Sequence, residues 1–460
     1  MRINRILAWN PRETKRPQWT LVKAFLAVIL LGALLLRLPV SGAAGRPVTL
    51  EESLFTSTSA TCVTGLNVVD PGSRFSTFGQ IVILALIQIG GLGTMTFATF
   101  LLVLLGRRLS VRSESVLTAA FGDNASGGIL PLLRGTVAFS AVIEGVGTLL
   151  LAWRHWQDGY PPLRALYYGG FHAISAFCNA GFSLFPDNLV AMRGDPVYVV
   201  TIIGLIVLGG LGFIVLHNLN RYRFWTRNRM ARGRISAHSR MVLKTSLVLI
   251  LVGAILYTLL EWHHALADLS PAEKVLGACF QSVSARTAGF NLVTMPLQTE
   301  GSRLLLATLM FIGGSPGSTA GGIKTTTFTV LLLTIWAIIR NRNATHFGVR
   351  AIPETIVREA IAICLLSLFF AVGMFGLLLI TEQPPPGSNA ALPLLFETVS
   401  ALGTTGYSLD LTPQLSWAGR LVIMLTMFVG RLGPLTIVYF VGAPGKEDHI
   451  RYPEEEVVVG

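Results

Sequence analysis

Charged residues are scarce: only 13% of the 460 residues are Asp, Glu, Lys or Arg, against about 25% in an average soluble protein. With 52% apolar residues and a mean hydropathy of +0.61, the composition excludes a disordered chain and argues against a soluble enzyme. Cysteines are also few. Cys62, Cys178, Cys279 and Cys364 show no CxxC spacing and no histidine cluster nearby, which argues against a disulfide framework or a zinc site. No HExxH or paired-carboxylate motif stands in an apolar run, so a membrane enzyme is not expected.

Long apolar runs are plentiful. They lie near 21–40, 77–105, 128–152, 196–219, 241–260, 303–339, 355–380 and 417–443. A spanning helix takes about 20 residues, so eight spans are expected. The basic head with Arg2, Arg5, Arg12, Lys15 and Arg16 imitates a signal peptide. The stretch Leu21–Val40 exceeds a signal core of roughly 7–15 residues, so it is expected to remain as the first span. Within each pair of runs sits a shorter half-apolar piece, near 50–61, 163–177, 271–285 and 389–402. These are too short to span, and are expected to be re-entrant helices.

Charge orients the spans. Residues 1–18, 106–127, 220–244 and 340–358 are rich in Arg and Lys, whereas the other connections carry Asp70, Asp158, Asp187, Asp195, Asp268, Glu300 and Glu382. Basic loops stay in the cytoplasm. The expectation is a multi-pass protein of the cell (inner) membrane, in contact with the lipid bilayer, with both termini cytoplasmic. The short helices then enter from outside. The net charge of +12 is a topology signal, and no nucleic-acid partner is expected. The basic run 220–244 sits between two spans, with only Tyr222, Phe224 and Trp225 as aromatics.

The four short pieces end alike, in Val63-Thr64-Gly65, Asn179-Ala180-Gly181, Thr287-Ala288-Gly289 and Thr404-Thr405-Gly406. Their glycines are 116, 108 and 117 residues apart. A second marker follows each, 25, 28, 24 and 24 residues on: Gly90-Gly91-Leu92-Gly93, Gly209-Gly210-Leu211-Gly212, Gly313-Gly314-Ser315-Pro316 and Gly430-Arg431-Leu432-Gly433. Two markers in fixed order, four times, define an internal repeat. The expected fold is an all-α membrane protein of four span–short helix–loop–span repeats, arranged pseudo-fourfold around one pore. The divisions are 1–20, an N-terminal segment; 21–110, 111–225, 226–345 and 346–445, the repeats; and 446–460, a cytoplasmic tail.

A short helix entering from outside aims its C-terminus at the membrane centre. That end carries roughly half a negative charge, so four of them favour a cation on the axis. The strand after each helix can turn carbonyls inward to replace an ion's hydration shell. Glycine supplies the backbone freedom this needs.

With these motifs the sequence resembles the superfamily of Trk, Ktr and HKT potassium transporters, and within it the membrane subunits of bacterial Ktr systems. The resemblance covers nearly the whole chain. It rests on the four glycine loops, the run from Gly313 to Thr327 and the tail Arg451-Tyr452-Pro453-Glu454. It implies a selectivity filter made by the four tripeptides above, with potassium as substrate and no organic cofactor in this chain. Sodium as an activator is left open. It also implies a homodimer of pores on a cytoplasmic ring of nucleotide-binding RCK subunits. In the family, serine at the first glycine goes with sodium transport; here all four glycines are present.

The third repeat differs. Residues 313–327 hold five glycines, a proline and six serines or threonines, which no continuous helix accommodates easily. Such a break belongs on the pore side, where irregular backbone is tolerated, and it is expected in this repeat alone. The resemblance implies a gate made of Gly313, Gly314, Ser315, Pro316, Gly317, Ser318, Thr319, Ala320, Gly321 and Gly322. Lys324 and Arg431 bring positive charge to the same level, where Arg431 is expected to repel potassium from the lower pore or to tie the loop through its carbonyls. The near-match to a phosphate loop, Gly317 to Thr325, carries an inserted Ile323 and lacks the preceding strand. Arg286 is expected to point behind the filter, with Glu397 as a candidate partner, and Arg134 with Glu144 as a candidate pair. A rival class, a proton- or sodium-coupled symporter, calls for inverted repeats and midplane carboxylates; the repeats here run in the same direction.

Overall fold

The computed structural model describes residues 17–106, 129–222, 235–382 and 391–433. Residues 1–16, 107–128, 223–234, 383–390 and 434–460 lie outside the described residues. Each repeat has an outer helix, a short helix and an inner helix. In the first these are Pro17–Leu36, Leu50–Thr61 and Thr77–Gly106. In the second they are Ile129–Gln157, Pro162–Phe177 and the pair Pro196–Leu211 and Phe213–Arg221. The third has Ala237–Glu261, Pro271–Ser284 and the pair Glu300–Phe311 and Thr325–Ile339. The fourth has Glu354–Glu382, Ala391–Gly403 and Trp417–Leu432.

Local chemistry starts these helices where they start. Thr49 with Glu52, and Ser270 with Glu273, form reciprocal capping boxes at the first and third short helices. These satisfy N–H groups that a helix start leaves unpaired. Pro162 and Pro271 stand in the first turn, where a missing N–H is harmless. Buried Glu261, at the end of the third outer helix, accepts from the Thr299 N–H and hydroxyl, each at 2.8 Å. It thereby ties outer helix to inner helix within one repeat.

The repeats close into a ring. Each inner helix packs on the short helix of the next repeat: first on second, second on third, third on fourth, and fourth back on first. The outward faces are apolar and exposed, as at Leu247, Leu251, Ile255 and Leu259 of the third outer helix, and Leu365, Phe369, Val372 and Ile380 of the fourth. Apolar patches of this extent belong against lipid. Gly135–Gln157, Ala237–Glu261 and Glu354–Glu382 are each long and apolar enough to cross a membrane, and Pro196–Leu211 with Phe213–Asn220 make a bent fourth.

Two of the long apolar runs are broken. The run 303–339 is interrupted between Phe311 and Thr325, as anticipated. The run 196–219, read as one helix, bends by 100° at Gly212. There Gly212 adopts φ 83, ψ 150, and Gly433 repeats it with φ 85, ψ 142 where the fourth inner helix ends. A break after the second marker is therefore not confined to the third repeat. Glycine at positive φ carries no Cβ penalty, so a single residue redirects the chain without the Gly- and Pro-rich signature that revealed the longer loop.

Candidate functional site

The C-terminal ends of the four short helices meet at four tripeptides. In each, the first residue and the glycine have positive φ: Val63 54 and Gly65 91, Asn179 58 and Gly181 68, Thr287 75 and Gly289 75, Thr404 48 and Gly406 96. The residue between them does not. Alternating backbone handedness turns successive peptide groups the same way, which lets a short strand line an axis with its carbonyls. Glycine was anticipated at positive φ. Four non-glycine residues there were not; Asn179 is of a type that adopts positive φ more readily, but the β-branched Val63, Thr287 and Thr404 give no sign of it.

The glycines also show the ring closing at atomic scale. A Cβ placed on Gly65 would fall 2.4 Å from the Ala180 carbonyl oxygen, and one on Gly181 would fall 2.7 Å from that of Ala288. One on Gly289 would fall 2.1 Å from that of Thr405, and one on Gly406 2.2 Å from that of Thr64. Each strand thus touches the next in the order of the chain, backbone on backbone, and the fourth touches the first.

A serine on each short helix supports the strand behind it. Ser59 and Ser400 hydroxyls accept from the N–H groups of Gly65 and Gly406, both at 3.1 Å. Ser175 and Ser284 donate to the carbonyls of Phe182, at 2.8 Å, and Phe290, at 2.6 Å. These serines were missed as functional residues, although their recurrence five or six places before the glycine was visible. The second marker has a steric meaning as well. A Cβ on Gly90, Gly209 or Gly430 would run into the carbonyl of Thr61, Phe177 or Leu402 at the end of the same repeat's short helix. Only glycine lets the inner helix pass so close. In the third repeat Gly313 meets Gly321 of the loop instead.

On one side of the ring lies a cavity of about 260 Å³, bordered by Gly65, Gly289 and Gly406 and by the carboxylates Asp70, Asp187 and Asp410. No basic side chain is among its described lining residues. On the other side, against the short-helix ends, lies the segment between Phe311 and Thr325. It is largely buried and bonded across the ring. The Ser315 N–H donates to the Gly210 carbonyl at 3.0 Å, and the Phe213 N–H to the Gly317 carbonyl at 3.1 Å. The Thr319 hydroxyl donates to the Phe177 carbonyl at 3.1 Å. Arg431 donates to the carbonyls of Thr319 and Gly90, the latter at 2.8 Å. Lys324 Nζ reaches the Ala320 carbonyl at 2.7 Å, so within the near-match to a phosphate loop the ammonium is turned onto the loop's own backbone.

The pairing of Arg286 with Glu397 expected from sequence does not form. Arg286 does point behind the filter strand, but its guanidinium donates to the Ser246 hydroxyl at 3.4 Å and the Gly313 carbonyl at 3.3 Å. Glu397 instead accepts from Ser408 and Thr412. Glu144 accepts from Gln88 at 3.0 and 3.1 Å. The Arg134 side chain lies outside the described residues.

Four short helices directed at one axis, a ring of strands between a vestibule and a buried loop, and a lipid-facing surface define a channel-like membrane protein. The chain belongs to the TrkH family of cation transport proteins, whose family model matches residues 3–444. It is 40% identical over 452 residues to Ktr system potassium uptake protein B of Bacillus subtilis (strain 168), covering 96% of this chain and 97% of that one. It is 37% identical over 444 residues to the protein of the same name from Vibrio alginolyticus, covering 95% and 93%. In fold it is similar to the potassium transporter TrkH from Vibrio parahaemolyticus, with a TM-score of 0.66 and 19% identity, over 94% of this chain and 86% of that one.

Proposed function

We propose that this chain carries potassium ions inward across the cell membrane, through a filter made by Val63-Thr64-Gly65, Asn179-Ala180-Gly181, Thr287-Ala288-Gly289 and Thr404-Thr405-Gly406. The observation that carries this is the closed ring in which each glycine abuts the next strand's carbonyl. The four helix ends contribute roughly half a negative charge each, and the strand carbonyls take the place of hydration water. Asp70, Asp187 and Asp410 raise the local cation concentration at the vestibule. No step makes or breaks a covalent bond.

In the same proposal, residues 313–322 close the path beneath the filter, held by Arg431 at the Thr319 carbonyl. Opening requires breaking that contact and the bonds to Gly210 and Phe213. The repeats occupy 21–110, 111–225, 226–345 and 346–445, both termini are cytoplasmic, and two such pores dock as a homodimer on a ring of nucleotide-binding RCK subunits that moves the loop. Sodium activation is tested beside potassium transport. The experiment is ion flux into vesicles holding the purified chain, potassium against sodium, with and without the ring subunit. Potassium-selective flux that rises with the ring supports the proposal; flux equal for both ions refutes it.

A further inference from the structure

The four repeats are not equivalent at the outer mouth. Two positions matter: the short-helix residue nine before the filter glycine, and the residue two after it. The first is Thr56, His172, Phe280 and Glu397; the second is Asn67, Ser183, Asn291 and Ser408. In the second and fourth repeats these positions bond to each other. His172 Nε2 lies 3.1 Å from the Ser183 hydroxyl, and Glu397 accepts from the Ser408 hydroxyl. Both His172 and Glu397 are fully buried, and both serines line the vestibule.

Each buried group is itself anchored. His172 Nδ1 is 2.8 Å from the Tyr168 carbonyl. A carbonyl only accepts, so Nδ1 carries the proton and Nε2 is the acceptor; the single Ser183 hydroxyl proton is shared between Nε2 and the Asn188 carbonyl, 3.0 Å away. Nε2 also faces the Leu184 N–H at 3.4 Å, and the ring stacks on Phe185 at 4.8 Å. The second carboxylate oxygen of Glu397 accepts from Thr412 at 2.9 Å, and Thr412 reaches Ser408 at 3.2 Å. In the first and third repeats the asparagines turn to their own loops instead. Asn67 donates to the Gly65 carbonyl and Asn291 to that of Val293, both at 3.0 Å. In ring order the second and fourth repeats are opposite one another.

From this juxtaposition we infer that His172 and Glu397 are a diagonal pair of positioning residues that hold Ser183 and Ser408, and with them the outer end of the filter. Removing either takes the short-helix partner from a mouth serine, leaving Ser183 only its loop contacts with Asn188 and Phe185, both at 3.0 Å, and the strand leaving the filter gains freedom where the ion first sheds water. The inference rests on the proposed potassium transport.

The test is concentration-dependent potassium and sodium flux into vesicles. Glu397→Ala and His172→Ala should each raise the half-saturating potassium concentration about tenfold, the scale of one hydrogen bond involving a buried polar group. They should also lower the potassium-to-sodium ratio, with the saturating rate less affected. Glu397→Gln, which keeps an acceptor for Ser408, should recover most of the loss. Ser183→Ala and Ser408→Ala cut the same bonds from the loop end and should shift the ratio in the same direction; they serve if the buried variants fail to insert. Thr56→Ala, at the equivalent place in the first repeat, should leave the ratio unchanged. Serine variants that insert normally and keep the wild-type half-saturation and ratio overturn the inference, as does an equal shift in Thr56→Ala. Wild-type chain without selective potassium flux refutes the transport proposal instead.

Discussion

Replacing the filter glycines one at a time with alanine tests the ring at its most sensitive point. Every such alanine must occupy positive φ, between 68 and 96, at about 1–2 kcal/mol. That cost is shared, so differences among the four variants come from what the new methyl meets. An ordinary carbon–oxygen approach is about 3.3 Å. The methyl of Gly289→Ala would start 2.1 Å from the Thr405 oxygen, and that of Gly181→Ala 2.7 Å from the Ala288 oxygen. The neighbouring carbonyl must therefore retreat by about 1.2 Å in the first case and about 0.6 Å in the second. Backbone strain of this kind costs of order 1–3 kcal/mol, or about ten- to a hundredfold in affinity. The expected order of impairment is Gly289 and Gly406 first, then Gly65, with Gly181 mildest. Half-saturating potassium for flux, measured in vesicles on variants shown to insert, reads the order directly. A Gly181→Ala variant more impaired than Gly289→Ala would refute the reasoning.

Deleting Pro316–Ala320 should raise flux and reduce its dependence on the ring subunit, and Arg431→Ala should do so more mildly; lower flux in a well-folded deletion would make the loop a support. Neutralising Asp70, Asp187 and Asp410 to Asn should weaken potassium uptake at low ionic strength, with the difference fading at high salt, because steering by exposed charge is screened. Measuring uptake against added choline chloride checks this. Purifying the chain with its ring subunit should yield two pores on one ring, visible by mass and by electron microscopy; a monomeric pore that ignores the ring would count against it.

Helix positions were legible because each rests on composition over a window: apolar length for the spans, and a shorter half-apolar length for the short helices. The fourfold repeat was legible because glycine leaves a mark wherever backbone must approach backbone, and Gly65, Gly181, Gly289 and Gly406 recur in register. The Gly- and Pro-rich loop was legible for the same reason. The bend at Gly212 was not, since one glycine in an apolar run looks like any other until its torsion angles are known. Nor was the fate of the buried charges. Arg286 and Glu144 stand far apart in the chain from the groups they bond, and for these and Glu397 opposite charge alone suggests partners; for Arg431 the loop carbonyls were among the partners the sequence suggested. Tertiary structure gave Arg286 and Arg431 backbone carbonyls, and gave Glu144 and Glu397 an amide and two hydroxyls. A buried polar group bonds whatever donor or acceptor the packed fold brings within reach, and that is decided by how four similar units close around one axis.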